Sequence, residues 1–506
     1  MNAIQMEHIT KTFHGAYANK DVSFCVEKGE IHSLLGENGA GKTTLMKILF
    51  GLYKPDSGEI RINDQPAAIT SPHDAIGCGL SMVHQHFVQV GNLTVTENII
   101  IGSEPKKGLF LDRKGAQAKV KELIDRYHFQ LDPLEKVEEL SVGEKQKVEI
   151  LKALYNNADI LLLDEPTAVL TPVEVEELFV MLRNLKAEGK TIVIITHKLK
   201  ETLAIADRVT ILRKGELVGT KGIDEVNESS LAEMMVGRPI SFEVHRLPWK
   251  PDAPIRLELK DITLGESGHE LLKNISLQVH SGEILGIAGV EGNGQTELIE
   301  VITGIRRHYK GSLCCDGKEL SGSNPREMLS YIGHIPEERG ARGFVKGFTN
   351  WENYILGYHN REEYSRHGLM NIRHIKEKAE AAIRQYDVRT SGIEQTTDSL
   401  SGGNQQKLII GRTLSHQDRI ILAAQPTRGV DIGAIEYIHT ELMKMRDQGA
   451  AILLISADLD EVTKLSDRIA VIYEGQIEAE RMAADFTRNE LGYYMLGGAK
   501  QNETES

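Results

Sequence analysis

Apolar residues alternate with polar ones near the start of the chain, at Ile4, Met6 and Ile9 and again at Val22, Phe24 and Val26, so residues 3–35 read as short strands of a partly exposed sheet. The alternation gives way to a mostly apolar run, Ile31 to Leu35, then a glycine-rich turn, then helical spacing from Thr44 to Phe50. Short apolar runs at Ser81 to His86, Ile160 to Glu165 and Thr191 to Thr196 have the length and character of strands buried in a parallel sheet. Residues 110–137 are charged with helical spacing and read as a helical insertion. A further helix is expected from Leu140–Gln146 through Tyr155.

The pattern occurs twice. The stretch Gly36 to Thr43 returns as Gly289 to Thr296, at 289 − 36 = 253, and LSVGE from Leu140 returns as LSGGN from Leu400, at 400 − 140 = 260. Two similar halves are expected, 1–240 and 255–497, joined by a semi-rigid linker over 241–254 with prolines at 248, 251 and 254, and followed by a polar tail, 498–506.

Composition narrows the function. A net charge of −14 over 506 residues, with no long basic run, opposes a nucleic-acid partner. Cys25, Cys78, Cys314 and Cys315 have neither CxxC nor Cys/His metal spacing and read as reduced packing residues. No apolar run approaches the roughly 18 to 20 residues of a membrane helix, and the first residues lack a signal-peptide core. The chain is therefore expected to be soluble and to serve a membrane only through partner subunits.

The chemistry concentrates at strand ends. Gly36, Glu37, Asn38, Gly39, Ala40, Gly41, Lys42, Thr43 and Thr44 lie between a strand and a helix start, the context in which backbone N–H groups converge on a phosphate, Lys42 reaches the β- and γ-phosphates, and the Thr43 hydroxyl ligates Mg²⁺. Phe13, just before the sheet turns toward this loop, can stack on adenine or fill a core. Gln85, at a strand end, can touch Mg²⁺ and the attacking water. Ser141 and Gly143 open a helix and can present a hydroxyl and N–H groups to phosphate, although an ordinary cap explains Ser141 equally well. Asp164 and Glu165 close a buried strand, placing one carboxylate for the Mg²⁺ shell and one to polarise water, with His197 at the end of the next apolar strand to hold that water in line.

Walker A at 36–43, Gln85, a signature at 140, Walker B at 160–165 and His197, in that order and in two copies, resemble the ABC ATPase domain. The resemblance implies, in each half, a RecA-like α/β P-loop core with an antiparallel β subdomain and a helical subdomain, and ATP with Mg²⁺ as cofactors. The second half keeps Gly289, Gly294 and Thr296 but has Gln295 at the Lys42 position, Glu266 at Phe13, Glu337 at Gln85, Ala424 and Gln425 at Asp164 and Glu165, and Ala457 at His197. It therefore reads as catalytically dead. Its signature, with Ser401, Gly402, Gly403 and Asn404, is nearer to the family's LSGGQ than LSVGE is, and Asp431 takes the family's D-loop position where the first half has Thr171.

ABC domains pair head to tail, so the resemblance implies that the two halves of one chain form the ATP sandwich. One composite site then collects Lys42, Thr43, Gln85, Asp164, Glu165 and His197 with Ser401, Gly402 and Gly403. The fused, half-degenerate pair resembles the ATP-binding subunit of bacterial importers of monosaccharides and nucleosides, with AAQPTRGVDIGAIEYIH from Ala423 and THKLKE from Thr196 most like the nucleoside branch. The implied partners are two transmembrane permease subunits, contacted around Gln85 and Glu337, and indirectly an extracytoplasmic substrate-binding lipoprotein. The implied location is the cytoplasmic face of the membrane. Ribose or galactose import is the alternative. A soluble tandem ATPase of ribosomes or nucleic acid is the rival class, opposed by the acidic charge and the single competent site.

Overall fold

The computed structural model describes residues 1–13, 15–84, 89–108, 110–127, 129–168, 170, 172–239, 247–266, 268–290, 292–416, 418–430 and 432–498. The chain divides into two compact units, Met1–Ile240 and Ser241–Ser506.

In the first unit, a six-stranded sheet has the order Glu216–Gly222, Arg208–Arg213, Ile31–Leu35, Thr191–Thr196, Ile160–Asp164, Leu80–Val83. All its pairings are parallel except that of Glu216–Gly222 with Arg208–Arg213. The three strands Ile31–Leu35, Ile160–Asp164 and Thr191–Thr196 are buried at every position, as continuous rather than alternating apolar strands must be when both faces are covered. His32 and Ser33 are tolerated there because each finds a partner: His32 bonds Glu30 and Thr210, and Ser33 bonds Thr202.

A second, antiparallel sheet carries the N-terminal alternation. It orders Ala16–Glu27, Asn2–Phe13, Ser57–Ile62, Gln65–Pro66. The short strands expected over residues 3–35 include two long ones, each of 12 residues, whose register shifts between Met6 and Ile9. His8 and Asp21 take positive φ (53° and 52°), so the bulge breaks the alternation without ending the strand. The helical insertion contains Arg113–Arg126, which buries Ala116, Val120 and Ile124 at helical spacing; Val142–Tyr155 supplies the expected later helix.

The second unit repeats this plan. Its six-stranded sheet orders Ile332–Ile335, Ile420–Ala424, Ala451–Ser456, Ile284–Ala288, Arg468–Tyr473, Gln476–Met482, beside an antiparallel sheet of His269–His280, Ile255–Glu266, Lys310–Cys315 and Lys318–Glu319. All four cysteines are free, and Cys315 is buried in a strand. Part of the stretch expected as linker is anchored in this unit: Arg446 Nη1 donates to the Leu247 carbonyl at 2.7 Å, and the Trp249 ring lies 5.6 Å from that of His280. Among the described residues no helix is long and apolar enough to cross a membrane.

Candidate functional site

The glycine-rich loop of the first unit leaves the carboxyl end of Ile31–Leu35 and enters the helix Lys42–Leu49. Gly41 has φ 97°, and a Cβ there would collide with the Ala18 carbonyl; at Gly36 a Cβ would sit 2.5 Å from the Leu212 carbonyl oxygen. The loop can curl this tightly against its neighbours only without side chains at those points. Lys42 is buried, and its Nζ donates to the carbonyls of Gly36 (2.6 Å) and Glu37 (3.0 Å). Burial lowers its pKa, while the charges of Glu165, Asp164 and Glu37 work the other way.

Asp164 ends Ile160–Asp164, which is separated from Ile31–Leu35 in the sheet by Thr191–Thr196. Burial, reinforced by the charge of Glu165, holds its carboxyl above the usual range despite Lys42 and a hydrogen bond from Thr43. Glu165 is not part of that strand: it turns off at φ 46°, with its N–H on the Ile195 carbonyl at 2.9 Å. His197 Nδ1 lies 2.9 Å from Glu165 Oε1. Burial alone would raise the Glu165 carboxyl, but the His197 hydrogen bond and the charges of His197, Lys42 and Lys198 outweigh it and hold the group below its ordinary value. Lys198 escaped the sequence reading. It donates to Glu201 and to the Thr167 carbonyl, and so sits beside Glu165 as a fixed charge.

Phe13 is half exposed at the end of its strand, with its ring 5.3 Å from that of Tyr53, edge-on, and Lys47 Nζ 5.6 Å from the Tyr53 centroid. Gln85, Thr171 and Asp431 lie outside the described residues.

The corresponding groups of the second unit adopt the same backbone but bond differently. Gln295 Nε2 donates to the Val290 carbonyl at 2.9 Å while its Oε1 accepts from Asn293 N–H at 3.1 Å. Gln425 repeats φ 46° and the N–H bond to Ile455, yet its Oε1 accepts from the Ala457 N–H at 3.3 Å where the first unit has the Glu165–His197 contact. Ala424 is fully buried. At Phe13, Tyr53 and Lys47 the offset of 253 places Glu266 (266 − 13), Arg306 (306 − 53) and Glu300 (300 − 47). These three are salt-bridged: Arg306 reaches Glu266 at 2.6 Å and Glu300 at 2.7 Å, and Arg342 reaches Glu300 at 2.8 Å. An aromatic ledge is thus replaced by an ionic lattice.

The two signature turns differ as well. Ser141 and Glu144 form a capping box around the start of Val142–Tyr155, and a Cβ on Gly143 would meet the Glu174 carboxylate. Ser401 makes no side-chain cap to Gly402–Ser415; its hydroxyl accepts instead from Asn404 Nδ2 at 2.8 Å. The first turn is closed by its own carboxylate and faces another. The second carries neither.

Among the described residues no three His, Cys, Asp or Glu side chains gather as a metal cluster. The Asp164 carboxyl with the Thr43 hydroxyl nonetheless suits Mg²⁺ bound with a nucleotide, because such an ion takes one or two protein oxygens and fills its octahedron with phosphate and water. The upward shift of Asp164 marks a buried anion short of positive charge.

The sequence profile described as ABC transporter matches residues 19–168 and 272–428. The guanosine import ATP-binding protein NupO of Bacillus subtilis is 48% identical over 98% of both chains, and the nucleoside import ATP-binding protein NupA of Lactococcus lactis is 46% identical, also over 98% of both. The ribose import ATP-binding protein RbsA of Halalkalibacterium halodurans is 38% identical over 98% of this chain and 99% of its own.

Proposed function

The chain belongs to the ABC transporter family, and from that premise we propose that it is the ATP-hydrolysing subunit of an importer of nucleosides. One observation carries the enzymatic part: Glu165, kept ionised by His197, Lys42 and Lys198 despite its burial, stands beside a phosphate loop whose lysine is poised on its own carbonyls. In this reading Lys42 leaves the Gly36 and Glu37 carbonyls for the β- and γ-phosphates. Glu165 accepts a proton from the water attacking the γ-phosphorus in line as the bond to the bridging oxygen breaks and ADP leaves, and His197 holds Glu165 and that water in orientation. Thr43 and Asp164 would hold Mg²⁺, which when bound would supply charge neutralisation to the phosphates. Phe13, propped edge-on by Tyr53, offers its face to adenine.

Ser401, Gly402, Gly403 and Asn404 are proposed to serve the same ATP, and Gly289, Gly294, Gln295 and Thr296 with Ser141 and Gly143 a second position without hydrolysis. The bonding supports this sorting, since the signature turn that keeps carboxylates away from its N–H groups is that of the second unit. Gln85 is proposed as a further ligand of Mg²⁺ and water. Two permease subunits, reached around Gln85 and Glu337 on the cytoplasmic face of the membrane, would couple hydrolysis to uptake from a substrate-binding lipoprotein.

Nucleoside rather than sugar rests on the relatives at 46–48% identity, against 42% for a glucose import ATP-binding protein and 38% for the ribose protein. The test is uptake of labelled nucleosides, ribose and galactose by cells with and without the chain. Loss of nucleoside uptake alone is expected; normal nucleoside uptake with loss of a sugar would transfer the assignment to monosaccharides.

A further inference from the structure

Arg339 belongs to the segment that follows Ile332–Ile335, two residues past Glu337 at the Gln85 position. Its side chain turns inward. Nη1 donates to the carbonyls of Arg428 (2.9 Å) and Gly429 (3.2 Å), in the turn that follows Ala424 and Gln425. Nη2 lies 3.2 Å from where a Cβ on Gly402 would stand and equally close to one on Gly429. One guanidinium thus touches three pieces of the second unit: the Glu337 segment that carries it, the turn after the Walker B position, and the first residue of the signature helix Gly402–Ser415.

A half-buried charge in such a place needs a reason. Burial lowers its pKa, and no carboxylate among the described residues offsets this. A guanidinium that only braced a loop would be better served by a carboxylate, since charge-assisted bonds are roughly twice as strong as those to neutral acceptors. Among the described residues its partners are instead two carbonyls, which carry no charge to cancel its own, and it lies beside Gly402, where the N–H groups of a 14-residue helix begin. The first unit does the opposite at its signature, with Glu144 in the capping box and Glu174 against Gly143.

We propose that Arg339 is a positioning residue for ATP hydrolysis, fixing the signature turn of the second unit in a phosphate-receiving form and tying that turn to the Glu337 segment. The proposal rests on the reading that Ser401–Asn404 serve the nucleotide held by Lys42. Because the planar fork spans two carbonyls while facing Gly402, a lysine, which is a single point donor, does not replace it.

The test is Mg-ATP hydrolysis by the full chain, with kcat and KM measured separately and melting temperature recorded for each variant. Arg339→Ala is expected to lower kcat about ten- to a hundredfold, the scale of a displaced reacting geometry, with KM for ATP and melting temperature unchanged. Arg339→Lys should recover less than about a third of that loss. Gly402→Asp, which sets a carboxylate on the same turn, should abolish hydrolysis with ATP binding retained. If Gly402→Asp abolishes turnover while Arg339→Ala leaves kcat intact, or lowers it only together with the melting temperature, the positioning role is wrong and the shared-nucleotide reading stands. If Gly402→Asp itself hydrolyses normally, the shared-nucleotide reading fails, and the role of Arg339 fails with it.

Discussion

Replacing Glu165 by glutamine isolates the chemistry from the binding. The amide keeps the volume and an oxygen that can still face His197 Nδ1, now 2.9 Å from Oε1, so the turn at φ 46° need not move. What disappears is a carboxylate that three cationic or hydrogen-bonding neighbours keep ionised. Loss of a general base costs on the order of 10² to 10⁴ in rate, or about 3 to 5 kcal/mol of transition-state stabilisation at 1.36 kcal/mol per tenfold. Binding should move the other way, because the Glu165 charge is the second cause, after burial, of the raised pKa of Asp164. With that charge gone Asp164 ionises more readily, and Mg-ATP should bind as well or better. The expected signature is a kcat lowered by at least a hundredfold with an equal or lower KM, read from phosphate release at saturating ATP and from nucleotide retained on a filter. The comparison is Gln425→Ala, which removes only the contact with the Ala457 N–H and should change kcat by less than about threefold. Gln425→Glu should create no second active site, since Gln295, Ala424 and Ala457 still lack the lysine, aspartate and histidine of the working set. Equal losses from Glu165→Gln and Gln425→Ala would refute the assignment of hydrolysis to the first unit.

The His197→Ala variant should shift the acid limb of kcat upward: turnover needs Glu165 ionised, its pKa is depressed below 4.5 chiefly by His197 acting against burial, and without the imidazole activity is lost at a higher pH as pH falls. Phe13→Ala should raise KM for ATP by about 1 to 3 kcal/mol equivalent, the range of base–aromatic stacking, with kcat little changed, as measured by steady-state kinetics. Arg446→Met should destabilise the second unit by about 3 to 5 kcal/mol in chemical denaturation, because Asp467 is buried against both Nε and Nη2; Lys186→Met, at the matching half-exposed pair with Asp207 in the first unit, should cost about 1 kcal/mol or less.

The parts of the site that were legible in the sequence are those written locally. Strand, glycine turn and helix start are contiguous from Ile31 to Leu49, and the apolar run ending at Asp164 announces a buried strand and its acidic tip within a few residues. The partners of those groups were not legible, because they come from elsewhere in the chain. Tyr53, which props Phe13, lies 40 positions away, and only the comparison with Arg306 opposite Glu266 would have singled it out. Lys198 stood in plain view beside His197 but has no motif of its own. The S-x-x-E spacing of Ser141 and Glu144 did carry a readable message, a capping box that closes the helix start, and its absence at Ser401 and Asn404 is the counterpart. Glu165 read as the last strand residue because periodicity cannot register a single left-handed turn.

The second unit lacks the charged groups proposed to carry hydrolysis in the first, in a way that leaves few loose ends. In the first unit Lys42, Asp164 and Glu165 are electrostatically interdependent: burial works against the charge of each, the two carboxylates oppose one another, and the attraction of Lys42 for both limits that cost. Removing Lys42 alone would strand the two carboxylates, and an uncompensated buried charge is among the more destabilising changes a fold can suffer. In the second unit all three are gone together, replaced by Gln295, Ala424 and Gln425, which are neutral, and both amides find backbone partners, Gln295 within its own loop and Gln425 at Ala457 beyond the adjacent strand Ala451–Ser456. The ledge was exchanged in the same coordinated manner, since Glu266 without Arg306 would be a carboxylate without its cation, and Glu300 would keep only Arg342. What remains intact is the backbone: the positive φ of Gly294 and Gln425 repeats that of Gly41 and Glu165. A unit relieved of chemistry but held to the same strained turns is under pressure to keep its shape, and among the described residues the turn that shape leaves open toward an anion is the one at Ser401 to Asn404, with Arg339 at its edge.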